Sequence, residues 1–253
     1  MTTPATDYII TSHISDGSHG GIIMKCIHKK TGKLYVRKTI PTESFERGEN
    51  EIMALSDLIH PHIISLEDSY MDDDGYHMIL EYGQHDLWYE ISKNRFLSSE
   101  ETMHYTKEIL LALKYIHSQG YTHRDIKPEN CILVNGVLKL CDFDTCIDEE
   151  KFTGNYSTGT PAFLAPEIMH RQSDCTNKVD IWALGVSMYE MSQGHLPYKL
   201  APGRRVLDIE DFNEELHFRS DTDSSLKSLI LELLTIDPKK RPSAAELLAR
   251  NFS

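Results

Sequence analysis

The sequence has few basic residues and no long apolar run. Its 253 residues include 39 Asp and Glu against 26 Lys and Arg, a formal net charge of −13. No stretch approaches the roughly 18 apolar residues of a membrane-spanning helix, and the N-terminus lacks the basic and apolar regions of a signal peptide. Because phosphate backbones and anionic membranes attract positive surfaces, we expect no nucleic acid and no membrane as partner. We expect an intracellular protein, cytoplasmic or nuclear.

Cysteine is also scarce and follows no metal-binding pattern. The five residues are Cys26, Cys131, Cys141, Cys146 and Cys175. Their number is odd, and no two have the close spacing of a zinc knuckle or a redox motif. We therefore predict reduced thiols, without a disulfide framework or a zinc site. A Gly-x-x-x-x-Gly-Lys-Ser/Thr run is absent as well, which argues against a phosphate-loop nucleotidase.

The sequence does contain a group of acids around a lysine and an asparagine. Residues 123–130 read His-Arg-Asp-Ile-Lys-Pro-Glu-Asn, and residues 142–144 read Asp-Phe-Asp. Phosphoryl transfer from ATP needs a carboxylate beside the acceptor hydroxyl, a cation beside the transferring phosphate and oxygen ligands for Mg²⁺. These groups are supplied, in that order, by Asp125, Lys127, Asn130 and Asp142.

The order of the motifs along the chain resembles that of eukaryotic-type protein kinases of the serine/threonine type. The landmarks, in family order, are Gly17, Lys38, Asp125, Asp142, Ala165-Pro166-Glu167 and Arg241. This resemblance implies an α+β, two-lobed protein kinase-like fold over residues 8–252. A small β-rich N-lobe (about 8–82), a hinge (about 81–86) and a larger, mainly helical C-lobe (about 87–252) would compose it. It also implies ATP and Mg²⁺ as cofactors and proteins as substrates.

Three β-rich runs are predicted near the N-terminus. A glycine-rich hairpin lies in the gap between the first run and the second. Residues 16–21 include three glycines. Such a hairpin lets backbone N–H groups approach triphosphate oxygens without a Cβ in the way. By resemblance it is the ATP lid and Lys38 is the phosphate anchor. Ser15 replaces the family's first glycine, and Val36 replaces an alanine.

The resemblance implies an ATP site that ends at the hinge. Leu80 would be the gatekeeper, and the backbone of Glu81 and Gly83 would bind the adenine edge. Asp86 would accept a ribose hydroxyl or a substrate arginine, or else only cap the helix that follows. The complete implied set is Ile14, Gly17, Gly20, Ile22, Val36, Lys38, Glu51, Leu80, Glu81, Gly83, Asp86 and Ile132.

A helix with one apolar face is predicted within residues 42–58, and it carries the partner of Lys38. Glu46, Glu49 and Glu51 all have suitable chemistry, and a run of charge is ordinarily a solvated face. Glu51 is preferred because its position fits the family pattern. Its ion pair would hold Lys38 against the α- and β-phosphates of ATP.

The resemblance also implies roles for the catalytic segments. Asp125 would orient and deprotonate the substrate hydroxyl, and Lys127 would neutralise charge on the γ-phosphate. Asn130 and Asp142 would hold Mg²⁺. Asp144 replaces a family glycine, and its Cβ should hinder rotation of the turn unless the local conformation tolerates aspartate. Its carboxylate would either add negative charge beside the metal site or point to solvent.

Residues 145–164 are predicted to form an activation segment. The spacing of Thr160 resembles serine/threonine kinases, which predicts a Ser or Thr acceptor. Arg124 suggests control by a phosphate on this segment, and Arg47 is a second candidate ligand. An apolar Ile147, where a further base is common, argues against such control. The preferred phosphorylation sites are Ser157 and Thr158.

Two predictions concern the substrate and the alternative to catalysis. Glu129 and Glu190, with Asp86, occupy positions where basophilic relatives bind arginine before the phosphorylated residue. These acids would otherwise only stabilise helix ends and loop turns. The alternative function is a pseudokinase scaffold, but every charged catalytic group is present. The sequence does not identify a regulatory partner.

Overall fold

The first part of the chain forms an antiparallel sheet. A computed structural model describes residues 7–17, 20–150, 158–169, 176–198 and 216–252. Within them five strands pair in the order β1-β2-β3-β5-β4. Their bounds are Tyr8–Asp16 (β1), Ile22–His28 (β2), Leu34–Ile40 (β3), Leu66–Asp72 (β4) and Gly75–Glu81 (β5). The three β-rich runs predicted near the N-terminus correspond to β1, β2 and β3.

One helix, α1 (Phe45–Asp57), packs against this sheet. Leu55 and Leu58 are buried on the face that the sequence predicted to be apolar. The helix and sheet approach closely at Gly48, where an added Cβ would lie 2.6 Å from a ring carbon of Tyr76. A side chain there would push the helix away, so this glycine sets the distance at which α1 meets the sheet.

The second part of the chain is mainly helical. Its helices are α2 (Leu87–Asn94), α3 (Ser99–Ser118), α4 (Pro166–Met169), α5 (Lys178–Gln193), α6 (Ser224–Leu233) and α7 (Ala244–Asn251). Ser98 and Glu101 form a capping box at the start of α3. The chain leaves this helix through Gly120, which has a φ of 76°. Because α5 is buried on nearly every side, it is the central helix of this lobe.

The described residues of the second part of the chain also include five short strands. Their bounds are His85–Asp86 (β6), Tyr121–Thr122 (β7), Cys131–Val134 (β8), Val137–Leu140 (β9) and Ile147–Asp148 (β10). One small sheet has the order β6-β8-β9, and β7 pairs with β10. An added Cβ on Gly83 would lie 2.0 Å from Cγ2 of Ile132, so this position needs glycine.

The predicted α+β class, with a β-rich first lobe and a mainly helical second lobe, is confirmed. None of the described helices is long and apolar enough to cross a membrane.

Candidate active site

A carboxylate, a lysine and a threonine hydroxyl meet beside the segment between β7 and β8. Asp125 Oδ1 accepts hydrogen bonds from Thr160 N at 2.8 Å and from Thr160 Oγ1 at 2.7 Å. Lys127 Nζ donates to Asp125 Oδ2 at 2.8 Å and to Thr160 Oγ1 at 2.6 Å. Burial opposes the charge on Lys127, but Asp125 outweighs it and raises the pKa of this lysine. The site therefore holds a cation and a carboxylate around one hydroxyl.

A buried aspartate in the first turn of α5 fixes the backbone of this segment. Asp180 accepts from the backbone N–H of His123 at 3.0 Å and of Arg124 at 2.8 Å, and His117 Nε2 lies 2.9 Å away. Burial would raise the pKa of Asp180, but His117 and the backbone donors hold it below its usual value. Arg124 has a φ of 69°, a left-handed conformation that is unfavourable for a non-glycine residue. The contacts of Asp180 stabilise this conformation.

Lys38 on β3 contacts two carboxylates. Its Nζ lies 2.8 and 2.7 Å from the two carboxylate oxygens of Glu51, and 2.5 Å from Asp142 Oδ1. Burial opposes the charge on Lys38, but Glu51 and Asp142 outweigh it and raise the pKa of the lysine. Among the three candidate acids on α1, the structure thus places Glu51, and neither Glu46 nor Glu49, beside Lys38.

A cavity of about 330 Å³ lies between the lobes. Most of the ATP-site residues that the resemblance implied line it, namely Ile14, Gly17, Val36, Lys38, Glu51, Leu80, Glu81, Gly83, Asp86 and Ile132. Ser15 and Cys141 line it as well. Apolar side chains near the hinge and charged ones around Lys38 give the cavity the mixed chemistry that a nucleotide needs.

Two predicted ATP-site residues do not line this cavity, and several that were not predicted do. Gly20 and Ile22 are outside its lining, whereas Ile23 is part of it. Ile23 pairs with Lys38 across β2 and β3, and paired residues share a face of a sheet. The neighbouring Ile22 must face the other way because side chains alternate along a strand, and it is 44% exposed. The prediction of Ile22 was therefore wrong by one residue.

Asp142 and Asn130 fit the small ligand set that Mg²⁺ takes beside a nucleotide. Both line the cavity. Burial would raise the pKa of Asp142, but Lys38 holds it below its usual value, so the carboxylate is ionised. Asn130 Nδ2 donates to Asp125 O and Oδ2, each at 2.8 Å, which leaves its amide oxygen to accept a cation. The described residues contain no cluster of three or more His, Cys, Asp or Glu suited to a metal, and Mg²⁺ commonly completes its shell with phosphate and water.

The Asp-Phe-Asp turn has its left-handed residue at the first aspartate. Asp142 has a φ of 64°, whereas Asp144 is not among the described residues with positive φ. Asp144 therefore needs no positive φ here, and the local conformation tolerates its Cβ, which is the alternative that the sequence left open. The carboxylate does not point to solvent. It is buried, and its Oδ2 lies 3.0 Å from Arg47 Nη1.

The predicted activation-segment residues fall partly within the described chain. Thr160 contacts Asp125 and Lys127 as above. Thr158 is described and partly exposed. Ser157 lies outside the described residues. Glu167, just after this segment, forms a buried pair with Arg241, and their closest N–O distance is 2.6 Å.

Two of the acids predicted to bind a substrate arginine, Glu129 and Glu190, have raised pKa values. Burial, followed by the charge of Glu129, raises the pKa of Glu190 to about 7. Burial also raises the pKa of Glu129, and Asp86 adds to it. Within the described part of the chain, Glu190 Oε2 is buried without a hydrogen-bond partner. Asp86 caps α2 by accepting from Tyr89 N at 2.7 Å and also lines the cavity, so both predicted roles remain open.

The two lobes, the cavity between them and the paired catalytic segments define the class of phosphotransferases with a protein kinase fold. The chain matches the protein kinase domain family over residues 8–253. It therefore belongs to the eukaryotic-type protein kinases, of the serine/threonine type.

Its relatives include serine/threonine kinases of several organisms. The chain is 31% identical to a probable serine/threonine-protein kinase nek1 of Dictyostelium discoideum, over 99% of this chain and 57% of that protein. It is 34% identical to the RAC serine/threonine-protein kinase of Drosophila melanogaster, over 90% and 38% respectively. For the RAC-beta serine/threonine-protein kinase of Homo sapiens the identity is 31%, over 97% and 54%. The chain thus spans between about a third and three fifths of the length of these relatives.

Proposed function

We propose that this chain transfers the γ-phosphoryl group of ATP to serine or threonine hydroxyls of proteins, with Mg²⁺ as the metal. The observation that carries the proposal is the 2.7 Å contact between the Thr160 hydroxyl and the Asp125 carboxylate, with Lys127 Nζ 2.6 Å from the same hydroxyl. A substrate hydroxyl in an equivalent position would be within hydrogen-bond reach of both a general base and a cation.

Each charged group then has one task. Asp125 orients the acceptor hydroxyl and accepts its proton, and Lys127 stabilises negative charge that develops on the transferred group. Lys38, held by Glu51, positions the α- and β-phosphates. Asp142 and Asn130 would hold Mg²⁺, which when bound neutralises phosphate charge.

Replacement of the general base tests this function. Asp125→Asn should lower transfer from MgATP to a degenerate Ser, Thr and Tyr peptide library by about 10²–10⁴-fold, because the amide cannot accept the proton. Nucleotide affinity should stay the same, since Asp125 does not line the cavity. The matched control is Asp73→Asn, an exposed change in the turn between β4 and β5. Undiminished transfer by Asp125→Asn, or transfer to tyrosine alone, would contradict the proposal.

The alternative function is a scaffold that binds nucleotide or partners without efficient transfer. The contacts of the described site favour transfer over this alternative, because Lys127 contacts Asp125 and Lys38 contacts both Glu51 and Asp142. Tight MgATP binding by the unaltered chain without transfer to any peptide of the library would establish the scaffold instead.

We further propose that the substrates carry arginine before the acceptor residue. Burial and then the charge of Glu129 raise the pKa of Glu190, and Glu190 Oε2 has no hydrogen-bond partner among the described residues. A guanidinium between the two acids would supply hydrogen bonds and remove the repulsion. Arginine fits better than lysine because its planar fork donates to two carboxylates at once.

The pH dependence of the arginine preference tests this proposal. With a pKa of about 7, Glu190 is mainly ionised at pH 8 and mainly protonated at pH 6. The ratio of kcat/KM for an Arg peptide to that for its Gln counterpart should therefore fall about tenfold from pH 8 to pH 6. Glu190→Gln should flatten the ratio, whereas the exposed Glu100→Gln on α3 should not. A library profile dominated by proline or acidic residues would contradict the proposal.

We also propose an intracellular location, cytoplasmic or nuclear. The four described cysteines are free thiols, which is the usual state in a reducing compartment. Microscopy of the fluorescently tagged protein in its own cells tests this, and a secreted signal would contradict it.

A further inference from the structure

Two polar side chains of α1 connect this helix to the Asp-Phe-Asp turn. Arg47 Nη1 lies 3.0 Å from Asp144 Oδ2, and the carboxylate side chain is only 6% exposed. Asn50 Nδ2 donates to backbone oxygens of the same stretch, at 2.6 Å from Cys146 O and 3.1 Å from Asp144 O. Neither contact belongs to the ion pair between Lys38 and Glu51, yet both come from the helix that carries Glu51.

The environment of Asn50 fixes the orientation of its amide. An amide nitrogen has two hydrogens, and the two shortest contacts use both. A third carbonyl, that of Phe143, lies 3.4 Å away, so the three contacts of this nitrogen in the described chain are all with acceptors. Only the nitrogen of the amide suits this position. Asn50 therefore binds the turn directly after Phe143 as a double donor.

The arginines that were candidate phosphate ligands both contact the segment 144–145. Arg47 binds the Asp144 carboxylate, and Arg124 Nε donates to Thr145 O at 2.6 Å. Ile147, at the third position, is buried in β10 and brings no positive charge. The contacts that a phosphate would otherwise provide to α1 are thus made by an acid of the turn itself.

We propose that Arg47, Asn50 and Asp144 are positioning residues that hold α1 in its active position without phosphorylation of the activation segment. We call these three residues the α1 clamp. The inference deepens the proposed function, because the reaction it serves is the phosphoryl transfer proposed above. On α1, Arg47 lies one turn before Glu51, and Asn50 directly precedes Glu51. Outward movement of α1 would therefore break the contacts of Arg47, of Asn50 and of Glu51 together.

The test uses the full chain, produced together with a phosphatase and shown by intact mass to be free of phosphate. The variants are Arg47→Ala, Asp144→Ala, their double variant and Arg47→Lys, with the exposed Glu46→Gln on the same helix as the control. The measurements are amide hydrogen exchange of residues 45–57 and steady-state kinetics with MgATP and a peptide.

The clamp predicts full activity for the phosphate-free wild-type protein and the control. Arg47→Ala and Asp144→Ala should each lower kcat on the order of tenfold and speed exchange of α1 by a similar factor, with the peptide KM unchanged. The double variant should be no worse than either single variant, because all three lack the same contact. Arg47→Lys should recover part of the loss, since only one nitrogen of Arg47 makes the contact.

Asn50 gives an independent comparison. Asn50→Asp should be worse than Asn50→Ala, because a carboxylate would face three carbonyl oxygens. A merely structural role of Asn50 would lower the melting temperature of both variants alike without faster exchange confined to α1. Equal effects of the two replacements on kcat and exchange would contradict the clamp.

Activation by a phosphate bound to Arg47 would give different results in the same measurements. If Arg47 serves a phosphate, the phosphate-free wild type is as inactive as Arg47→Ala, phosphorylation restores only the wild type, and the clamp is refuted. Failure of the proposed function is distinguishable, because the exchange measurement does not need transfer. A chain without transfer whose α1 is protected in the wild type and exposed in Arg47→Ala would retain the clamp.

Discussion

Arg241 and Glu167 hold the end of the activation segment to the C-terminal lobe, and replacement of this arginine by lysine should destabilise the fold severely. All five N–H groups of Arg241 have an acceptor. Its terminal nitrogens donate to the two oxygens of Glu167 at 2.6 and 2.7 Å. The remaining bonds go to the backbone oxygens of Thr235, Lys178 and Ile236 at 2.6, 3.1 and 3.0 Å. The arginine side chain is 0% exposed and that of the glutamate 1%.

The magnitude follows from this count. Lysine has three N–H groups on one nitrogen, so Arg241→Lys leaves at least two buried acceptors without a donor. Each costs about 1–3 kcal/mol, whereas the charge opposite Glu167 is retained. We therefore expect a loss of about 4 kcal/mol from two such acceptors, equivalent to a fall of about 10 °C in melting temperature for a chain of this size.

Urea unfolding followed by circular dichroism measures this loss. The matched control is Arg250→Lys, because Arg250 pairs with Glu232 at 2.9 Å but is 52% exposed. Such a surface pair is worth roughly 0–1 kcal/mol, so the control should unfold almost as the wild type does. If Arg241→Lys and Arg250→Lys cost the same, the reasoning from burial and donor count is refuted.

Three further predictions concern the site. Gly83→Ala should weaken ATP binding at least about tenfold by calorimetry, because its Cβ would meet Ile132, and added Ile132→Ala should restore part of the affinity. Burial holds the pKa of Cys141 well above its usual value, so alkylation of this thiol should be slow at pH 7.5 and faster at pH 9. Because Cys141 lines the cavity, ATP should protect it, and labelling that ATP does not slow would contradict this place in the cavity. Asp180→Asn should lower kcat by about tenfold or more with little change in ATP affinity, because the NH₂ of the new amide would face the backbone donors of His123 and Arg124. An unchanged kcat would show that the catalytic segment does not need this carboxylate.

Local patterns predicted much of the fold. The α3 helix has apolar residues at helical spacing, an N-terminal capping box and a glycine at its end, all of which depend on neighbours within four residues. The resemblance to a known family supplied the longer connections, such as Lys38 with Glu51. Spacing alone left Glu46 and Glu49 open, because the choice depends on how α1 rotates against the sheet.

The pairing register of the strands could not be predicted from the sequence. The pairing of β1 and β2 has irregularities between Ile10 and Ser12 and between His13 and Ser15. Such irregularities shift the side chains that face the cavity, and motif spacing does not record them. The prediction selected Ile22 by its distance from the glycines, whereas the pairing of β2 with β3 places Ile23 on the face of Lys38.

Asn50 was missed although a weak signal existed. Asparagine is unfavourable in the interior of a helix, so its place next to Glu51 indicated a specific contact. The partners of Asn50 are 93 to 96 residues away in sequence, and nothing local identifies them.

The departure from the family pattern at Asp144 is explained by a residue in the other lobe. A glycine at this position would remove the contact with Arg47, which is 97 residues away in sequence and which Asp144 reaches. The left-handed conformation falls on Asp142, so the backbone does not demand glycine at 144. A buried carboxylate is costly without a nearby cation, and Arg47 supplies one at 3.0 Å. The roles of Arg47 and Asp144 therefore depend on each other, and neither role can be recognised from the surrounding sequence alone.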